Sequence, residues 1–241
     1  MNLFIVGEGT LAQGIRQSCA EHDDLKVLSE YKPGATHLIW IAHDTPILEN
    51  NGPDGEWLWE KTIAAIGGTS CPVLVSSQVP PGFMAQLKTK RPQHAYAYSP
   101  ENIRAAHAYE DFRQQPRIVL GCDEDGQYVE LFRAVLQHFT PYVFITNVAS
   151  AEMIKHAING FLAMSVAYAN ELGALCKTTG ASMHDVTIGL RSDPRIGHKA
   201  YLAEGGPYGS HLEREIYNLR ELGGGYLIKG IHESNEARKK V

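Results

Sequence analysis

Asn2-Leu3-Phe4-Ile5-Val6-Gly7-Glu8-Gly9-Thr10-Leu11-Ala12 stands almost at the start of the chain, an apolar run of strand length, a glycine turn and the opening of a segment with helical spacing, Leu11–Cys19. Gly7, Gly9 and Ala12 fit G-x-G-x-x-A. In that arrangement the first glycine permits the tight turn, the second lets a pyrophosphate approach the backbone, and the small third residue allows close helix–strand packing. The amides at the helix start, around Thr10 and Leu11, would then face the phosphates, and a carboxylate introduced at Gly9 would occupy and repel that place. The alternative is a tight turn that holds no ligand. About 20 residues beyond the turn, where a ribose-binding acid would stand, Glu30 follows the second strand and would favour NAD over NADP; it reads equally as a solvated strand-end carboxylate.

The same alternation continues outward. Runs of strand length occur at Asn2–Val6, Lys26–Leu28, His37–Ile41, Val73–Ser76, His94–Tyr98, Arg117–Leu120 and Tyr142–Thr146. Helical spacing marks Leu11–Cys19, Trp57–Ile66, Phe83–Leu87, Ile103–Phe112 and Tyr128–Phe139. This order predicts an α/β domain: a Rossmann-like, doubly wound parallel sheet with helices on both faces. Tyr31–Thr36 is too short for a crossover helix between the second and third strands. From Ser150, read as an N-cap with Glu152 in the first turn, apolar residues continue to Cys176, and Gly180 stands where a C-terminal stop belongs. Apolar residues spread so widely around one helix, including Ile158, Phe161, Leu162, Met164 and Val166, predict burial against the sheet domain and against a second subunit, hence a homodimer. Ser182 with Asp185 resembles the start of a further helix. The boundary is expected near Thr146, giving a nucleotide-binding domain over 1–146 and a helical central domain over 147–241.

Composition narrows the function classes. A chain of 241 residues, 44% hydrophobic, can bury a substantial core, and its net charge of −5 gives no electrostatic case for nucleic acid or an anionic membrane. Cys19, Cys71, Cys122 and Cys176 lack C-x-x-C spacing, and no mixed histidine–acid cluster argues for a metal. No basic leader precedes Leu3–Val6 and no apolar stretch approaches the roughly 20 residues that span a bilayer, so a cytoplasmic protein is expected.

Three further segments carry a resemblance: YSPENIRAAHAYEDFRQQPRIVLG from Tyr98, ASAEMIKHAINGFL from Ala149, and RSDPRIGHKAYLAEGGPYGSH from Arg191. Together they resemble the UDP-glucose/GDP-mannose dehydrogenase family, with its Y-N-P-E-F-L-R-E-G-x-A-x-x-D-F, E-x-x-K-x-x-x-N-x-F and G-x-G-Y-G-G-S-C-F-P-K-D motifs. The resemblance implies NAD as cofactor and a UDP- or GDP-linked hexose as substrate. It implies that Lys155 and Asn159 hold an oxyanion and a water, that Glu101 is a base or water holder, and that Glu215 replaces an assisting aspartate. Arg195, in Asp193-Pro194-Arg195-Ile196-Gly197, would reach the nucleotide sugar of the other subunit, with an interfacial salt bridge as the alternative. Tyr201, Gly206, Tyr208 and Gly209 would approach the substrate. On the nicotinamide side, Ile41-Ala42-His43-Asp44-Thr45-Pro46 is similar to I-A-V-P-T-P and Ser76–Gly82 to K-S-T-V-P-P-G, which assigns Thr45, Pro46, Ser77 and Gln78 to the cofactor.

The departures bear on chemistry. His211 stands at the nucleophilic cysteine, Ala105 at a second glutamate, and Gln78 at a threonine that positions water. Oxidation of an alcohol to an acid passes through a thioester that imidazole cannot form. A histidine could still act as a base for one hydride transfer. Altered or lost oxidation chemistry is therefore expected. The alternatives are a noncatalytic nucleotide-binding or assembly protein and, from another class, a 3-hydroxy-acid dehydrogenase, which the DPRIG and SPENIR segments disfavour. Tyr226–Glu236 resembles the family helix that leads into a third domain, so the sequence reads either as a fragment or as a short form.

Overall fold

The computed structural model describes residues 1–100, 107–113, 115–202 and 205–240. These form two compact units, Met1–Leu48 with Pro53–Lys155, and Glu49–Gly52 with His156–Val241.

The first unit contains β1 (Asn2–Val6), α1 (Thr10–Cys19), β2 (Lys26–Leu28), β3 (Leu38–Ile41), α2 (Gly55–Ile66), β4 (Val73–Val75), α3 (Phe83–Lys90), β5 (Tyr96–Tyr98), α4 (Ala108–Arg113), β6 (Ile118–Cys122), α5 (Gln127–Leu136), β7 (Val143–Thr146) and the start of α6 (Val148–Thr179). The strands form one sheet in the order β2-β1-β3-β4-β5-β6-β7. Its two faces follow the period-two alternation of the strands. Trp40 joins Leu11, Ile15, Phe112, Phe132 and Phe139 on one side, while Ile39 and Ile41 join Leu58, Phe83, Leu87 and Ala151 on the other. The doubly wound α/β fold is thus as expected, with one correction: β6 runs antiparallel to β5, pairing Ala97 with Cys122 and Tyr98 with Gly121. A strand buried on both faces has the same apolar content in either direction, so its sequence does not encode its sense.

Between β2 and β3 the chain makes only a turn, in which Ala35 and Thr36 donate to the Lys32 carbonyl at 3.1 and 2.9 Å. The crossover helix is absent there, as the spacing requires. Because β2 and β3 flank β1 on opposite sides, the carboxyl ends of β1 and β3 bound the crevice where the winding reverses.

The second unit holds α6 from His156 onward, α7 (Met183–Ser192), α8 (Ser210–Glu221) and α9 (Tyr226–Arg238), around Ala163, Val166, Ala167, Tyr208, Ile216 and Ile231. α6 is longer than the Ser150–Cys176 expected. It starts at Val148, and its cap is Asn147, whose Oδ1 accepts from Ser150 N at 2.7 Å, not Ser150 itself. It ends before Gly180, whose φ of +73° takes the chain into the left-handed conformation of a helix stop. Ser182 Oγ accepts from Asp185 N at 3.3 Å, the anticipated cap of α7. Among the described residues no helix is long and apolar enough to cross a membrane, and no group of three or more His, Cys, Asp or Glu could hold a metal.

Candidate functional site

The glycine turn after β1 is built as the sequence predicts. Gly7 has φ +150°, and a methyl group on it would come within 2.6 Å of the Ala42 carbonyl carbon, so the turn lies directly against the end of β3. Ala42 N bonds Val6 O at 2.8 Å, holding the two strand ends together. Ala12 is fully buried and leaves room for the turn. The Arg16 guanidinium reaches back from α1 and donates to Ile5 O at 2.9 Å and Gly7 O at 2.8 Å, fixing the turn from behind.

In front of the turn stands a residue that sequence reasoning did not single out. Asp44 Oδ2 accepts from Thr10 N at 2.6 Å and Oδ1 from Leu11 N at 3.4 Å. A methyl on Gly9 would come within 2.8 Å of Asp44 Cβ and overlap the carboxylate. The bare backbone of Gly9 is filled by Asp44, so a carboxylate already occupies the place where a dinucleotide pyrophosphate would meet the first amides of α1. As they stand, these residues do not fit that group. The signal was visible: Asp44 replaces the second residue of V-P in the I-A-V-P-T-P pattern, putting an acid immediately after the strand that borders the turn.

The other cofactor-side candidates cluster at the ends of β3 and β4. His43 N donates to Ser77 Oγ at 2.7 Å, Thr45 N to Gln78 Oε1 at 2.9 Å, and Thr45 Oγ1 to Gln78 O at 2.7 Å. Gln78, at the position where the family threonine positions water, therefore ties two loops together through its side-chain and backbone oxygens. His43 is buried edge-on to Trp57, with ring centroids 5.3 Å apart. Burial, then the nearby Lys61 charge, push its pKa below that of a free imidazole, so the ring is neutral at neutral pH. Glu30 lies beyond β2, exposed, 4.0 Å from Lys32 Nζ. Pro46 is exposed in the same loop as Thr45. Glu152 caps α3: its carboxylate accepts from Gly82 N at 3.1 Å and Met84 N at 3.2 Å. Lys155, on α6, is the last residue of this unit and is buried. Glu101 and Ala105 lie outside the described residues.

In the second unit, Asn159 is half-buried on α6. Glu215 on α8 is buried, with Oε2 2.6 Å from His156 Nδ1 and Oε1 3.3 Å from Arg214 Nε. His156 was not anticipated: read within E-x-x-K-x-x-x-N it is merely the residue after the lysine, and its partner is 59 positions away. His211 lies one turn before Glu215 but is exposed. Asn170 on α6 secures the glycine loop, its Oδ1 accepting from Gly205 N at 3.0 Å and its Nδ2 donating to Gly206 O at 3.1 Å. Tyr208 is buried, its amide on Asn235 Oδ1 at 2.8 Å and its hydroxyl on Ile231 O at 3.3 Å, and burial raises its pKa. That placement makes Tyr208 part of the core. Gly209 caps α8. Arg195 is largely exposed and paired with Asp193 at 2.7 Å, and with Tyr201 it borders an apolar groove of about 850 Å³.

The sequence model of the UDP-glucose/GDP-mannose dehydrogenase family's central domain matches residues 149–237. UDP-glucose 6-dehydrogenase of Rickettsia typhi is 30% identical over 246 residues, covering 96% of this chain and 56% of the relative. The Rhizobium meliloti enzyme of the same name is 33% identical over 201 residues, covering 78% and 45%. The chain thus spans about half the length of these curated relatives. A UDP-glucose dehydrogenase structure from Pyrobaculum islandicum superposes with a TM-score of 0.80 at 23% identity, over 98% of this chain and 68% of that one, a likeness of fold. In motifs, in sequence and in the order of sheet and helices, the chain belongs to the UDP-glucose/GDP-mannose dehydrogenase family.

Proposed function

We propose that this chain recognises a nucleotide sugar, a UDP- or GDP-hexose, and works as a nucleotide-sugar dehydrogenase with altered oxidation chemistry that does not carry an alcohol through to an acid. The supporting observation is the absence of a suitable thiol. Where the family nucleophile would stand, at the start of α8, there is the exposed imidazole of His211. Cys176 is buried beside Met183, 4.0 Å from its sulfur, Cys19 and Cys122 are buried in the sheet unit, and the half-buried Cys71 is held at the turn between β2 and β3, its Sγ donating to Thr36 O at 3.2 Å. Burial pushes the Cys19 thiol up to about 12 and Cys122 in the same direction, away from the thiolate a thioester requires. Lys155, Asn159 and, outside the described residues, Glu101 are the polar groups we assign to the reacting end of the sugar. Arg195, Tyr201 and the loop glycines Gly206 and Gly209 we assign to its nucleotide, Tyr208 being part of the core. NAD is the dinucleotide we assign to the sheet unit, on the condition that Asp44 leaves the amides of Thr10 and Leu11, and it would supply the hydride acceptor. The expected result is no formation of two NADH per UDP-glucose, measured by NADH absorbance with analysis of the sugar product. His211→Cys alone should restore little, because Gln78 is committed to Thr45 and losses within a catalytic set do not simply add. Robust production of the uronate by the native chain would overturn the proposal.

We also propose a homodimer formed through α6. Phe161, Tyr168 and Leu175 recur every seventh residue and are 61%, 52% and 61% exposed, an apolar stripe along one helix face. Light scattering at micromolar concentration should give twice the chain mass, and Phe161→Glu with Tyr168→Glu should give a monomer. A monomeric native chain would contradict it.

A further inference from the structure

We infer that Asp44 is a built-in substitute for a dinucleotide pyrophosphate: it closes the anion site of the glycine turn, and NAD enters only when the carboxylate leaves. The inference rests on reading that turn as the dinucleotide site. Three features of the turn bear on it. The amides of Thr10 and Leu11, which would face a phosphate, both donate to Asp44. The space kept open by the absence of a side chain at Gly9 is filled by the same carboxylate. Arg16, the cation nearest along α1, donates to the carbonyls of Ile5 and Gly7 and so remains behind the turn.

Asp44 and a pyrophosphate have the same sign and require the same donors, so they cannot be bound together. Apparent affinity for the dinucleotide then falls in proportion to the fraction of molecules whose Asp44 is displaced. A carboxylate on two helix-terminal amides has the charge-assisted hydrogen bonds and the favourable dipole of a strong cap. Its removal should therefore raise affinity by about twofold to thirtyfold, the range that the free energy of a helix cap allows for an exposed carboxylate. The same contact gives the sheet unit a helix cap of the kind that bound phosphate would otherwise provide. The native protein should accordingly melt at nearly the same temperature with and without NAD, whereas the variants should depend on it.

Titration calorimetry of the full chain with NAD, and with inorganic pyrophosphate as a minimal probe, tests this in Asp44→Ala, Asp44→Asn and Asp44→Ser. Serine keeps a neutral cap, so at least one variant retains a properly started α1. The expected result is weak binding by the native chain, NAD binding tighter by about fivefold in the variants, and a larger upward melting shift with NAD in each of them. Equal affinity in native chain and variants, at any strength, overturns the role of Asp44 while leaving the turn a dinucleotide site. Absence of NAD binding in all of them, with folding verified by circular dichroism, overturns both the inference and the assignment of NAD.

Discussion

Replacement of Glu215 by alanine should destabilise the helical unit by about 3–5 kcal/mol, the cost of breaking a buried charged cluster by removing one partner. Glu215 is 1% exposed, and the side chains it holds, His156 and Arg214, are 3% and 5% exposed. Without the carboxylate, a guanidinium that cannot lose its proton remains in the interior without the anion that faced it. Nor can water readily replace it, since the three side chains are packed between α6 and α8. Glu215→Gln should cost less, about 1–3 kcal/mol, because the amide oxygen still accepts a hydrogen bond while the charge is gone. One turn earlier on the same helix, His211→Ala should change stability by no more than about 0.5 kcal/mol, as expected of an exposed position. Urea denaturation followed by helical circular dichroism measures all three. A loss below about 1 kcal/mol in Glu215→Ala, where buried pairs ordinarily cost several times that, would show that the cluster does not hold α8. The result also bears on chemistry. The residue that resemblance assigns to assist catalysis has one oxygen on His156 and the other on Arg214, so in this chain it also holds two buried neighbours.

The contrast between His211 and Glu215 shows what was legible in the sequence. Strands β1 and β2 fall where their apolar runs place them, and the others begin or end within two residues of the expected runs. Period, turn residues and caps are local signals. Gly180 and Ser182 are of the same kind: each acts on backbone within a few residues of itself. The antiparallel sense of β6 was not legible, since it depends on the path taken between β5 and β6 and not on either strand's composition. Asp44 and Thr10 are separated by 34 positions, and only the pairing of β1 with β3 brings them together. His156 and Glu215 depend in the same way on α6 packing with α8. In each case the residue types were visible and the partner was not. Resemblance directed attention to the positions where the family keeps its chemistry, and thereby away from the acid that had replaced a proline.

Gly7→Ala should be the most damaging single-methyl change in the sheet unit. The new Cβ would overlap the Ala42 carbonyl oxygen and lie 2.6 Å from its carbon, and Ala12 Cβ, at 3.0 Å, closes the other direction of escape. These are backbone atoms and a methyl carried directly on the backbone of a buried helix, so no rotamer change relieves the overlap. Either β1 and β3 must separate at Val6 and Ala42, losing their 2.8 Å hydrogen bond, or the turn must abandon φ +150°. Backbone strain of about 1–3 kcal/mol adds to an overpacking cost of about 1–3 kcal/mol. The sum, about 2–6 kcal/mol, is a large part of the 5–15 kcal/mol by which a domain is ordinarily stable. A melting temperature lower by about 10 °C is the corresponding shift for a unit of this size. Gly9→Ala provides the control. There the added methyl overlaps the Asp44 carboxylate, which can swing outward, and lies 2.8 Å from Asp44 Cβ, which no rotamer change moves; at an ordinary φ of −83° the loss is that of the cap plus a small backbone shift, about 1–3 kcal/mol. Differential scanning calorimetry of the two variants separates them: a Gly7→Ala protein that melts with or above Gly9→Ala would mean that the turn is not pressed against β3, and the crevice that Asp44 crosses would then not be closed by its walls.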